Sequence, residues 1–207
     1  MRPRIWQWGD SVASLRRCVH AGGIVALPTE SSYALGALPG SRAGIEAIDK
    51  LKRRGGGQPM PVVAASLEQI GDLGVATGAA ERDAVAACWP AALSIVLPLV
   101  VPLPACGSEN GLAVRIPGHA RLRALLEELG TPLTATSANR AGEPPIVDVA
   151  SLIEWLADTD SWIVTDGRLP GGPPSTLVRW NGKRFDVLRN GRVPFPCHLE
   201  GTRSSIC

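Results

Sequence analysis

Ile24-Val-Ala-Leu-Pro28 is an apolar run of five residues set between two helical patterns, and its setting decides the architecture. Before it, residues 11–21 carry Val12, Leu15 and Val19 at helical spacing, with Ser11 placed to cap that helix and Gly22-Gly23 to stop it. After it, a loop over residues 29–40 leads to Ser41. This serine caps a second helix that turns Ile45, Ile48 and Leu51 inward and Arg42, Glu46, Asp49 and Lys50 outward. A helix, a short strand and a helix in succession form a crossover unit, and the same alternation recurs downstream. Pro61-Val-Val-Ala-Ala reads as a strand, Ser66 with Gln69 as a capping box, and residues 79–88 as a helix. Leu93-Ser-Ile-Val-Leu and Leu112-Ala-Val-Arg-Ile are strands, the second with Leu112, Val114 and Ile116 on one face and Ala113 and Arg115 on the other. Residues 119–129 form a helix closed by Gly130, and Pro132-Leu-Thr-Ala-Thr is the strand after it. Asp148 caps a helix running to residue 157 and Trp162-Ile-Val-Thr is a strand. Asn181-Gly182 joins residues 176–180 and 184–188 in a hairpin. The pattern predicts one α/β domain over residues 1–195, with a twisted mixed sheet and helices packed on it, and a loose tail over residues 196–207.

Composition bounds the function. Of 207 residues 45% are hydrophobic and 19% charged, enough apolar content for one core. A net charge of +2 excludes a strongly basic nucleic-acid binder that relies on bulk counterion release, so any anion site must be local. No apolar run reaches the length of about 18 residues that a membrane span needs, and the N-terminus lacks a secretory pattern, so a cytoplasmic protein is expected. Five widely spaced cysteines without a C-x-x-C pair suit free thiols, and three histidines form no ligand cluster, so no protein-bound metal is expected.

Four segments at strand or helix ends concentrate small hydroxyl, glycine and basic residues: Pro28-Thr-Glu-Ser-Ser-Tyr33, Lys52-Arg-Arg-Gly-Gly-Gly-Gln-Pro59, Thr136-Ser-Ala-Asn139 and Gly171-Gly-Pro-Pro-Ser-Thr176. Hydroxyls and backbone N–H groups at such ends make concavities for anions, with Lys or Arg supplying the opposite charge. Each segment alone is better explained by turn chemistry. The Lys52 segment is no P-loop, because the basic residues precede the glycines. Arg115, a planar guanidinium on a strand, calls for a carboxylate or phosphate partner, either a ligand or a structural acid.

Together the segments resemble the YrdC-like family, the threonylcarbamoyl-AMP synthases of the TsaC type. Pro28-Thr-Glu-Ser-Ser-Tyr-Ala-Leu-Gly36 is similar to the family's P-T-E-T-x-Y-G-L-G, and Lys52-Arg-Arg54 with Pro59 to its K-x-R and following proline. Leu112-Ala-Val-Arg-Ile-Pro117 is similar to A-V-R-x-P, and Thr136-Ser-Ala-Asn-Arg-Ala-Gly-Glu-Pro144 is similar to S-A-N-x-S-G, with Ala141 where the family often has serine. Pro174-Ser-Thr-Leu-Val178 and Leu188-Arg-Asn-Gly191 match P-S-T-V and the late R-x-G. The resemblance covers residues 23–191 and is to the short form of the family. Trp89-Pro90-Ala91-Ala92-Leu93-Ser94 departs from W-P-G-P-x-T, and the loss of glycine at position 91 predicts a rebuilt turn.

The resemblance implies a central anion-binding cavity and a nucleotidyltransferase that condenses L-threonine, bicarbonate and ATP, with magnesium, into threonylcarbamoyl-AMP and pyrophosphate. The product would feed a tRNA-modifying transferase complex, and weak direct tRNA binding is a further expectation. Carried over by motif, Lys52 and Arg54 are the catalytic pair; with Ser137, Asn139 and Arg189 they hold ATP, while Thr29, Arg115 and Ser175 hold threonine. Loss of Lys52 is expected to abolish activity without unfolding the chain. The competing reading is a YrdC-like paralogue with an RNA- or nucleotide-binding role and little synthase activity.

Overall fold

The computed structural model describes residues 2–180 and 184–195. Along the chain, β1 (Arg4–Trp6) is followed by α1 (Ala13–His20), β2 (Ile24–Pro28), β3 (Tyr33–Gly36), α2 (Arg42–Lys52), β4 (Val62–Val63), α3 (Leu67–Gly71) and α4 (Ala79–Ala86). Then come β5 (Leu93–Pro98), a 3-10 turn (Pro104–Cys106), β6 (Gly111–Arg115), α5 (Ala120–Leu129), β7 (Leu133–Thr134) and β8 (Thr136–Ser137). The last elements are α6 (Val149–Trp155), β9 (Ser161–Val164), β10 (Thr176–Trp180) and β11 (Phe185–Arg189).

The strands form two mixed sheets. One has the order β1-β9-β2-β3-β8 and the other β11-β10-β5-β6-β4-β7. β2 is buried along its whole length. Its alternate residues serve two cores: Ile24 and Ala26 join one cluster with Leu93, Ile95, Leu112 and Val114, whereas Val25 and Leu27 face Leu15, Leu122 and Leu126. A strand covered on both faces is the signature of a layered α/β fold. The two sheets meet where the expected strand at residues 132–136 breaks. β7 pairs with β4 in one sheet and β8 with β3 in the other, with Ala135 alone between them. Thr134 fastens this crossing, its Oγ1 accepting from the Ala37 N–H at 2.9 Å.

Most helix ends obey their local chemistry. Ser41, Ser66 and Asp148 each accept a backbone N–H three residues on, and Gly130 closes α5 at φ 72°. Such a side-chain cap contributes about 1 kcal/mol. In the capping box, Gln69 Oε1 reaches back to the Ala65 N–H rather than that of Ser66. His119 caps α5 through Nδ1, which accepts from Leu122, while Nε2 lies 2.9 Å from Asp166 Oδ2.

Several expectations are corrected. α1 begins after Val12, and Ser11 only accepts a long bond from Ala13. The loop expected over residues 29–40 contains β3, which pairs antiparallel with β2 across the tight turn at residues 29–32. Asp49, placed outward by its helical position, is buried. Ala91 is not at positive φ, Arg53 being the one non-glycine residue there among the described residues, and its N–H bonds to Ile116 O at 3.0 Å. The Asn181-Gly182 turn and the tail from residue 196 lie outside the described residues. Among those residues no helix is long and apolar enough to cross a membrane.

Candidate active site

All four loop segments, together with β6 and the end of β11, converge on a cavity of about 480 Å3. Thr29, Arg54, Arg115, Ser137, Ser175 and Arg189 line it, six of the eight residues carried over by motif. Lys52 and Asn139 do not line it; they stand directly behind Ser137. A larger groove of about 570 Å3 on the other side of the α2 end holds none of the eight and has its basic side chains, Lys50, Arg53 and Arg140, on the protein surface or partly exposed.

Strand alternation explains the wall. In β6, Leu112 and Val114 enter the core, which turns Ala113 and Arg115 to the cavity. In β10, Thr176 and Val178 are buried, and Leu177 and Arg179 face the same space. Arg179 and Glu109 escape motif reading, although the alternation of Thr176 and Val178 signals the first of them.

Lys52 is the last residue of α2 and is buried. Its three N–H groups are aimed at Ser137 O, Asn139 O and Asn139 Oδ1, at 2.5, 3.0 and 3.1 Å. Asn139 is equally committed, its Nδ2 donating to Arg140 O and Glu143 O and its Oδ1 also accepting from Ser137 Oγ. Ala141 N–H returns to Lys52 O at 3.0 Å, closing the link between helix end and loop. The ammonium therefore organises the S-A-N loop. Burial, with the Arg54 guanidinium nearby, pushes the Lys52 pKa down to about 8 against the opposing pull of Asp49.

Arg53 ends α2 in the left-handed region, at φ 51°, and the chain then carries Arg54 into the cavity wall. Arg54 Nε donates to Asp49 Oδ1 at 2.6 Å, which is why that acid is buried, and Arg54 Nη2 is buried without a partner among the described residues. The glycines that follow dock at Gly57, whose carbonyl accepts from Ser108 N; a Cβ on Gly107 would stand 2.1 Å from that same oxygen.

Arg115 is buried and donates from Nη1 to Glu30 Oε2 at 3.1 Å. Burial drives its pKa down while Glu30 opposes the shift. Arg189 donates to Ser175 O and, at 3.4 Å, to Ser175 Oγ. Although Arg189 is exposed, partial desolvation and the positive charge of Arg115 lower its pKa. Two guanidiniums thus share one field. Ser175 Oγ also meets the buried Ser94 at 3.1 Å, and Thr29 Oγ1 donates to Ser32 O at 2.7 Å within the turn that ends β2.

Known proteins match the chain in sequence and in fold. A threonylcarbamoyl-AMP synthase of Xanthomonas campestris pv. campestris (strain B100) is 37% identical over 185 residues, covering 87% of this chain and 95% of that protein. That of Marinobacter nauticus is 35% identical over 171 residues, covering 81% and 90%. The crystal structure of "P. abyssi Sua5 complexed with L-threonine" superposes with a TM-score of 0.80 at 27% identity, covering 92% of this chain and 58% of that one. This chain therefore spans less than two thirds of that Sua5. E. coli YciO, at 21% identity and a TM-score of 0.78, shares the fold. The Sua5/YciO/YrdC family model, described as "Telomere recombination", matches residues 17–191, and with these relatives it shows that the chain belongs to that family.

Proposed function

We propose that the protein is a nucleotidyltransferase that condenses L-threonine, bicarbonate and ATP into threonylcarbamoyl-AMP and pyrophosphate. The observation that carries this reading is the convergence of Arg54, Arg115 and Arg189 with Thr29, Ser137 and Ser175 on one cavity. The matched relatives named threonylcarbamoyl-AMP synthase support it over a paralogue that only binds nucleotide or RNA.

In this reading Arg115 and Ser175, with Thr29 beside them, hold threonine, and Arg115 pairs with its carboxylate. Arg54, Ser137 and Arg189 face the ATP phosphates, while Lys52 and Asn139 act through the loop they hold rigid. The threonine amine attacks the bicarbonate carbon and a water leaves, giving a carbamate. A carbamate oxygen then attacks the α-phosphorus and pyrophosphate departs with the electron pair of the broken P–O bond. The protein contributes position and charge rather than a covalent intermediate.

Charge arithmetic specifies what else is needed. Arg54 with Asp49, Arg115 with Glu30 and Arg179 with Glu109 are pairs, which leaves Lys52 and Arg189 as the cations of the site without an ion-paired carboxylate among the described residues. Two positive charges do not balance a polyphosphate and bicarbonate together. Among the described residues no group of three or more His, Cys, Asp or Glu could hold a metal ion. The magnesium in this proposal is the ion that ATP carries on its own phosphates. The product is passed to a tRNA-modifying transferase complex. Direct tRNA binding would be weak at a net charge of +2. The buried free thiols of Cys18 and Cys106 suit the cytoplasm, where ATP is supplied.

The test is incorporation of radiolabelled bicarbonate with ATP, with threonine omitted in the control. Label should enter a nucleotide only when threonine is present. Equal incorporation without threonine, or none with it, rejects the assignment. Gly191 offers a structural check, because a Cβ there would stand 2.4 Å from Pro174 O and 2.5 Å from Ser175 C. Gly191→Ala must push Ser175 aside and should lower kcat/KM by about tenfold to a hundredfold. Unchanged kinetics would mean that Ser175 is not at the reacting end.

A further inference from the structure

The arginines facing the cavity differ in their counterions. Arg115 is paired with Glu30 Oε2, and the other Glu30 oxygen accepts from Gly118 N–H at 2.8 Å, so the carboxylate is fixed at both ends. Its side chain is only 16% exposed, which leaves its charge poorly screened. Arg189, exposed at the cavity mouth, bonds only to Ser175, and no carboxylate among the described residues pairs with it. Glu30 lies behind the wall rather than in it.

We propose that Glu30 is a specificity residue that reserves Arg115 for the carboxylate of a zwitterionic amino acid and keeps phosphate groups out of that end of the cavity. This rests on the reading that Arg115 holds the threonine carboxylate. The guanidinium fork fits a carboxylate and a phosphate equally well, so the shape of Arg115 cannot sort the two substrates. Charge can. Beside a neutral Arg115–Glu30 pair, an amino acid of zero net charge loses little, whereas a phosphate with two negative charges finds no net positive charge to offset its desolvation. Arg189 presents no such carboxylate to the phosphates, whereas Arg54 shares its charge with Asp49, held at its Nε. Discrimination by a built-in repulsion is a general device of specific sites.

The experiment is steady-state inhibition by inorganic phosphate. In the unsubstituted protein, phosphate should compete with ATP and not with threonine. Glu30→Gln keeps the acceptor for Gly118 N–H but removes the negative charge. In that variant phosphate should become competitive with threonine, with an inhibition constant about tenfold lower. Glu30→Ala should behave alike, which guards against a folding defect peculiar to the amide, and Glu30→Asp should restore the original pattern. If threonine KM rises in Glu30→Gln without phosphate competition, Glu30 only positions Arg115 and the proposal is overturned. An inhibition pattern identical to that of the unsubstituted protein also overturns it. Absence of threonine-dependent label incorporation in the unsubstituted protein would instead overturn the functional reading beneath it.

Discussion

Arg115→Lys should raise the threonine concentration needed for half-maximal pyrophosphate release by about a hundredfold, with the ATP requirement nearly unchanged. Lysine keeps the charge but exchanges a planar fork for a compact ammonium with no fixed pair of donors. In the protein one edge of the Arg115 guanidinium is committed to Glu30. A lysine at this buried position would give its charge to Glu30 first and offer the incoming carboxylate at most one bond. The loss falls on an interaction made in both the bound and the reacting state, so KM should carry most of it. Titrating threonine at saturating ATP, and ATP at saturating threonine, separates the two. An unaltered threonine requirement removes Arg115 from the carboxylate site.

Lys52→Met should reduce kcat/KM for ATP by about a thousandfold or more, and it should also destabilise the chain. Methionine matches the length of the lysine stem but leaves Ser137 O, Asn139 O and Asn139 Oδ1 without the ammonium that they share. Stranding buried acceptors costs about 3 kcal/mol in total, a fall of roughly 6–12 °C in melting temperature for a chain of this size. The motif alone suggests a free phosphate ligand whose removal spares the fold; the buried geometry predicts that activity and stability fall together. A melting temperature unchanged in the variant would show that the ammonium is not holding the loop. The depressed pKa supplies a second readout. With its pKa near 8, Lys52 loses its proton in the folded state as pH rises through 8, whereas in the unfolded chain it stays charged to about 10.5. If its charge is needed, kcat/KM for ATP declines above about pH 8. A profile flat through about pH 9 contradicts that requirement.

Much of the fold is legible because local chemistry and burial agree. The apolar run at β2, the serine and aspartate caps, and Gly130 after α5 each have one good solution. β1 is hidden because its Arg4 and Ile5 are exposed and only Trp6 is buried, leaving no alternation to detect. β3 is hidden by the Thr, Glu and Ser residues before it, which read as a continuing loop. The division into two sheets is hidden because Pro132-Leu-Thr-Ala-Thr looks like one strand, and which partner each half pairs with is a tertiary matter. At the site, side chains that meet the cavity were recognisable from their motifs. Their counterions were not. Asp49 sits on the polar face of its helix, and only the return of Arg54 against it makes burial favourable. Glu30 passes for an ordinary turn acid until β6 is placed beside it.

The crossing at Ala135 has a further effect on how this chain can vary. Leu133 and Thr134 are registered against β4, Thr136 and Ser137 against β3, and one residue separates the two agreements. Adding or deleting a single residue there would flip every following side chain in one register, taking Ser137 off the cavity wall and away from Lys52. The pentapeptide thus acts as a spacer without slack: exchanges of side chain are conceivable along it, whereas a change of length is not.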